Sequence, residues 1–385
     1  MLVSFFISEG KAAKTLGGKL HCDPEMLKPS ATIPDDVNKV RPADIKAIAA
    51  IAAKTLGGKL HCDPEMLKPS ATIPDDVNKV RPADIKAIAA IGDSFIVAAR
   101  STNFLDDPPD IFPGNSFISG GDETVEEHIT VAKILRIFNP TVMGVSHGAG
   151  YGNMGFNVAT GGATCKDVIV QAKELIRRMK EGYVNLNEDW KLIWIFIGTN
   201  DIGRVGCISD EESTSRDVYK SKLEEGISYL LYNLNRTIIS IIPIWNPHLT
   251  VDARWLIDKG KRMECGHYST RNRDVLAEEY RKVAYELQNE KRFDHKNFTV
   301  VVQGFMDEIR DAFRKKSGEY DKSFYGSDSF HLSKYGNAVM AKFLWNNLLE
   351  PVGNKTTNAD LGDDSVPIKC PTMERPYIQT LGNRM

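Results

Sequence analysis

Three places in the sequence put reactive side chains where they could act together. Gly92-Asp93-Ser94 follows an apolar, strand-like run, so a small residue and a turn-forming residue set a serine at the strand's exit, ahead of a predicted helical stretch. Gly198-Thr199-Asn200-Asp201 directly follows Leu-Ile-Trp-Ile-Phe-Ile, and a carboxamide at such an exit can donate to an oxygen that becomes negative during reaction. Asp328-Ser-Phe-His331 precedes a terminal helical pattern. A carboxylate three residues before a histidine in a turn can hold the Nδ1 proton, leaving Nε2 to take a proton from a serine. The chemistry suggested is nucleophilic attack by Ser94, with His331 as base, Asp328 as its orienter and Asn200 as an oxyanion donor.

The elements that must hold these groups alternate. Runs at 85–91, 155–159, 192–198, 237–243 and 298–303 are continuous apolar stretches of strand length. Between and after them, 125–138, 167–180, 217–234, 271–290 and 333–349 carry apolar residues at helical spacing. The pattern predicts an α/β fold: a three-layer α/β/α sandwich with a mainly parallel sheet, flavodoxin-like in its layering. In such sheets ligands bind beyond the carboxyl ends of the strands, where Ser94 and Asn200 fall.

A second serine fits a nucleophile pattern. Gly144-Val-Ser146-His-Gly148 satisfies GxSxG, but Ala149-Gly-Tyr-Gly-Asn-Met-Gly155 follows it, a glycine-rich stretch in place of the helix that this elbow requires. Ser146 is therefore the alternative nucleophile. His128, His147, His248, His267 and His295 show no metal-ligand spacing, and the acidic clusters at Asp122-Glu123, Glu126-Glu127 and Glu211-Glu212 no calcium-loop pattern. No metal and no cofactor are expected.

The chain has 385 residues, 42% of them hydrophobic, with 49 Lys and Arg against 51 Asp and Glu. That composition is globular, and the balanced charge argues against a nucleic-acid partner. No apolar run approaches the roughly 20 residues of a membrane span. Residues 1–8 have an apolar core without a basic flank or clear cleavage site, so they are at best a clipped signal peptide. Asn235-Arg-Thr237, Asn297-Phe-Thr299 and Asn354-Lys-Thr356 are glycosylation sequons. Residues 12–50 recur letter for letter as 52–90. Two perfect copies do not make a solenoid, and only the second runs into Gly92-Asp-Ser94. Residues 1–51 are thus expected to be a redundant or artefactual copy, dispensable and poorly ordered, with 52–385 forming one domain.

Taken in order, Ser94, Asn200 and Asp328/His331 resemble the blocks of the SGNH or GDSL hydrolases, and among these the phospholipase B-like branch. Further matching stretches are Arg81-Pro-Ala-Asp-Ile-Lys86, Ser119-Gly-Gly-Asp122, Phe156-Asn-Val-Ala159 with Gly162-Ala163, Glu188-Asp-Trp-Lys191, Trp345-Asn-Asn-Leu-Leu-Glu-Pro-Val352 and Lys369-Cys-Pro371. The resemblance runs from about residue 60 to 384. Phe95 stands where the family name has Leu, a change in a packing residue rather than a reacting atom. The resemblance implies a serine ester hydrolase acting on phospholipid, lysophospholipid or other acyl esters through an acyl-enzyme. It implies an oxyanion hole of Gly162, Asn200 and the Ser94 N–H, with Gly120 and Gly121 a rival glycine block. It also implies a secreted enzyme touching membrane or micelle surfaces transiently, and disulfides Cys207–Cys265 and Cys62–Cys370. The alternative within the same fold is a catalytically silent lipid- or protein-binding relative.

Overall fold

The computed structural model describes residues 56–101, 110–204, 211–250, 270–311, 313–314, 317–363 and 365–384. The first repeat copy, Cys22, and the expected Cys207–Cys265 pair lie outside the described residues.

Four strands, β1 (Ile85–Gly92), β2 (Trp190–Phe196), β3 (Thr237–Ile241) and β4 (Phe298–Val302), form a parallel sheet in the order β1-β2-β3-β4. Every residue of β2, β3 and β4 is buried, and in β1 only Lys86 is half-buried. Strands covered on both faces must be apolar throughout, which explains their unbroken runs. The helices are α1 (Val131–Phe138), α2 (Val168–Glu181), α3 (Thr199–Arg204), α4 (Arg216–Asn233), α5 (Thr270–Asn289) and α6 (Lys334–Leu348). α2, α4 and α5 pack in series, with α2 against β1 and α5 against β4, while α1 packs on α6. These groups form the outer layers of an α/β/α sandwich. Truncating one of the central β2 side chains, such as Ile193→Ala, is expected to cost about 2–5 kcal/mol.

Three expected elements differ. The helix predicted over 125–138 begins only at Val131, because the Thr130 hydroxyl caps it by accepting from the Lys133 N–H at 3.1 Å. The strand predicted over 155–159 shrinks to a single parallel bridge between Asn157 and Ala90. Gly155 takes φ +56°, and Asn157 spends its buried carboxamide on Ile96 O and Ser119 Oγ. The stretch after Ser94 is a run of turns rather than a helix, with Ala98 and Arg100 at positive φ.

The two ends of the described domain are tied together. Cys62 and Cys370 are disulfide-bonded as the resemblance implied, Ile378 N donates to Val80 O, and Asn383 Nδ2 donates to Asn78 O. Residues of the second repeat copy supply β1 itself.

Candidate active site

The site is assembled at the exits of β1 and β2. Gly92 pairs with Phe196 across the two strands, so the segments carrying Ser94 and Asn200 leave the sheet side by side. A Cβ on Gly92 would stand 2.5 Å from both Phe196 O and the Ile96 side chain, and only glycine fits there. Asp93 then makes the turn, its Oδ1 accepting from the Phe95 N–H at 3.0 Å.

His331 comes from a loop pinned by an antiparallel bridge between Tyr325 and Leu332 and by Gly326 N donating to His331 O at 2.7 Å. A Cβ on Gly326 would lie 2.2 Å from Arg100 O, so glycine lets this loop approach the turn that follows Ser94. Behind it, the Ser333 hydroxyl caps α6 by accepting from Gly336 N.

These elements bring the three predicted residues together. His331 Nε2 is 2.8 Å from Ser94 Oγ, and His331 Nδ1 is 2.6 Å from Asp328 Oδ2. Asp328 Oδ1 also accepts from the backbone N–H groups of Phe330 and His331. Burial alone would raise the Asp328 carboxyl, but the hydrogen bond and charge of His331 and those two N–H donors outweigh it and hold it at about 2. Phe95 does more than fill space: its ring centroid is 5.0 Å from the imidazole, and the Phe330 ring touches the same imidazole edge-on at 5.0 Å. Trp245 and Phe196 pack in turn on Phe95.

Asn200 opens α3, and its Nδ2 donates to Ala163 O at 2.9 Å, while the next residue, Asp201, accepts from the Cys165 N–H. The Asn-Asp doublet thus fastens the loop that contains Gly162, which takes φ +77°. The same loop reaches β1 through Thr160 N donating to Gly92 O. In the rival block, Gly120 N donates to Ser116 O and Gly121 N to Ser146 O, so neither amide is available as an oxyanion donor.

Ser146 is fully buried, and its hydroxyl sits 2.8 Å from Ser119 Oγ and 2.7 Å from Met154 O, with no imidazole among those partners. Its neighbour His147 instead faces Asp122 at 3.2 Å. Among the described residues no group of three His, Cys, Asp or Glu side chains is placed to hold a metal ion.

One residue at the site escaped sequence reasoning. Gln171 of α2 is buried, and its carboxamide accepts from Gly92 N at 2.8 Å and donates to Gly92 O at 2.9 Å. A glutamine on the apolar face of a helix was the available signal. Asp93 is also buried; its burial, reinforced by the nearby charge of Asp201 and opposed by the hydrogen bond from Phe95 N, pushes its carboxyl up to about 7.

A parallel α/β sandwich with serine, histidine and aspartate in hydrogen-bond series at a strand exit has the architecture of an ester hydrolase. The chain belongs to the GDSL-like lipase/acylhydrolase family, which matches residues 88–344. It is 34% identical over 376 residues to human "Phospholipase B1, membrane-associated", and 33% identical over 375 residues to the rat protein of that name. Each match covers 92% of this chain and 22% of the relative, so the chain spans about a fifth of the length of these relatives. Among solved structures it is similar to Axe2, an acetylxylan esterase from Geobacillus stearothermophilus, at 15% identity and a TM-score of 0.34, covering 68% of this chain and 93% of that one. No helix among the described residues is long and apolar enough to cross a membrane.

Proposed function

We propose that this chain hydrolyses acyl esters of phospholipids or lysophospholipids through a covalent Ser94 acyl-enzyme. The observation that carries the reading is the series Ser94 Oγ, His331, Asp328, with separations of 2.8 and 2.6 Å. Ser94 Oγ attacks the ester carbonyl carbon while its proton passes to His331 Nε2, and Asp328 stabilises the imidazolium. The carbonyl oxygen, now negative, is held by the Ser94 and Gly162 backbone N–H groups and by Asn200 Nδ2. The C–O bond to the alcohol breaks, and the alcohol leaves with the proton from His331. Water, deprotonated by His331, then attacks the acyl carbon, the bond from that carbon to Ser94 Oγ breaks, and His331 returns the proton to Oγ as the fatty acid leaves.

The lipid substrate is supported by the likeness to the phospholipase B1 proteins, and contact with membrane or micelle surfaces is transient in this reading. The enzyme acts in a secreted or extracellular setting, where the Cys62–Cys370 disulfide persists and the exposed Asn235 and Asn354 are open to glycosylation. Residues 1–51 are a redundant copy of 52–90, which already supplies β1.

Fatty-acid release from lysophosphatidylcholine micelles and from phosphatidylcholine vesicles tests the substrate. Release at a turnover above that for a soluble acetyl ester supports the lipid reading. Hydrolysis of the acetyl ester alone would contradict it.

A further inference from the structure

We propose that Gln171 is a positioning residue: its carboxamide stands in for a missing neighbouring strand at Gly92 and so fixes the backbone from which Ser94 projects. The inference rests on Ser94 being the nucleophile.

On the edge of β1 away from β2, the chain from 156 to 160 supplies partners only intermittently. Ala90 N donates to Phe156 O at 3.2 Å, Val158 N donates to Ala90 O at 2.9 Å, and Thr160 N reaches Gly92 O at 3.2 Å. That irregular segment is what remains of the expected strand over 155–159, and among these bonds none serves the Gly92 N–H. Gln171 fills the gap. Its Oε1 and Nε2 bond the N–H and C=O of one residue at 2.8 and 2.9 Å, the paired exchange that a facing peptide group makes in a ladder.

Gly92 is two residues from Ser94, and its other edge is already paired with Phe196. With both edges held, the last strand residue cannot rock, and the Asp93 turn starts from a fixed plane. Gly92 has no side chain with which to anchor itself, and the crowding by Phe196 O and Ile96 forbids one. Leaving its buried N–H unpaired frees the turn to relax, and displacement of a nucleophile by about 1 Å can cost on the order of 10²-fold in rate. Gln171 itself is 5% exposed and lies on the face of α2 that buries Val168, Ala172 and Leu175, so it is a positioning group and not one that meets substrate.

The test uses the full chain with Gln171→Leu, which removes both bonds, and Gln171→Glu. The glutamate keeps an acceptor for the Gly92 N–H and, when protonated, regains the donor to Gly92 O. Turnover of a p-nitrophenyl ester, the rate of fluorophosphonate labelling mapped to its peptide, and thermal unfolding are measured from pH 5 to 8. The expected result is a Q171L protein that stays folded, with kcat and the Ser94 labelling rate each down about 10- to 100-fold and KM within about twofold of wild type. The Q171E deficit relative to wild type should shrink as pH falls.

Wild-type labelling of Ser94 in folded Q171L, or a Q171E deficit flat with pH, would overturn the proposal while leaving the nucleophile reading intact. If Q171L does not fold, the pH response of Q171E decides. Labelling of the wild type at a peptide without Ser94 removes the nucleophile reading and this inference with it.

Discussion

Ser94 and His331 are separated by 237 positions in the chain, yet their Oγ and Nε2 atoms lie 2.8 Å apart. The contact joins the exit of β1 to a loop just before the last helix, so it depends on both segments being correctly placed. Glycine at 326 and the aromatic contacts of Phe95 and Phe330 with the imidazole hold that distance.

Asp328→Asn is expected to lower kcat by about 10⁴-fold with little change in KM, because the amide selects the wrong imidazole tautomer while preserving shape. Steady-state kinetics on a soluble ester reads this directly. A loss below about tenfold would remove Asp328 from the proton path.

Because the Asp328 carboxyl is held at about 2, it stays ionised through the acid range in which the enzyme is assayed. Its stabilising contribution is present above the ordinary carboxylate value and is lost only as pH falls toward 2. The Asp328 carboxyl should therefore contribute nothing to the pH dependence of kcat/KM between pH 4 and 8. An Asp328 carboxyl seen by carbon NMR to titrate between pH 4 and 6 would contradict this.

Asn200→Ala is expected to cost about 10²- to 10³-fold in kcat, the usual effect of deleting one oxyanion donor. It also frees Ala163 O, so a modest fall in thermal stability should accompany the kinetic loss. Kinetics that change only in KM would place Asn200 in substrate binding instead.

Asp93 gives a stability prediction of the opposite sign to Asp328. Its folded value of about 7 exceeds the 3.8 of an unperturbed aspartate, so the folded state holds the proton more tightly and stability is lost as pH rises from about 4 to 7. The full difference is on the order of 4 kcal/mol. Asp93→Asn keeps an acceptor for the Phe95 N–H and removes the titration. Wild-type Tm is expected to fall between pH 5 and 8 relative to this variant, and parallel Tm curves would contradict the burial account.

Replacing Cys62 and Cys370 by serine opens a loop of 308 positions and is expected to cost about 2–5 kcal/mol of stability. Denaturant unfolding measures it, and turnover at 25 °C should be little changed.

Much of the site was legible because strand exits are legible. Continuous apolar runs ending in Gly92-Asp-Ser94 and Gly198-Thr-Asn-Asp201 locate two edges of the candidate site without any knowledge of helix packing. Asp328 and His331 were legible because three residues in a turn are close by construction. Gln171 was not, since a lone glutamine on a buried helix face has no spacing to distinguish it, and its partner is a backbone group 79 positions away. The short strand expected over 155–159 misled because a short, largely apolar run reads as a buried strand, while Asn157 was committed to Ile96 and Ser119. GxSxG at Ser146 matched a motif in letters alone, and the fold buries that hydroxyl.

The most direct test of the central claim is fluorophosphonate labelling and lysophospholipid hydrolysis by the wild type, Ser94→Ala and Ser146→Ala, each with and without residues 1–51. The account expects labelling and hydrolysis to vanish in Ser94→Ala alone and to be indifferent to the truncation. Activity that persists in Ser94→Ala and disappears in Ser146→Ala would contradict it.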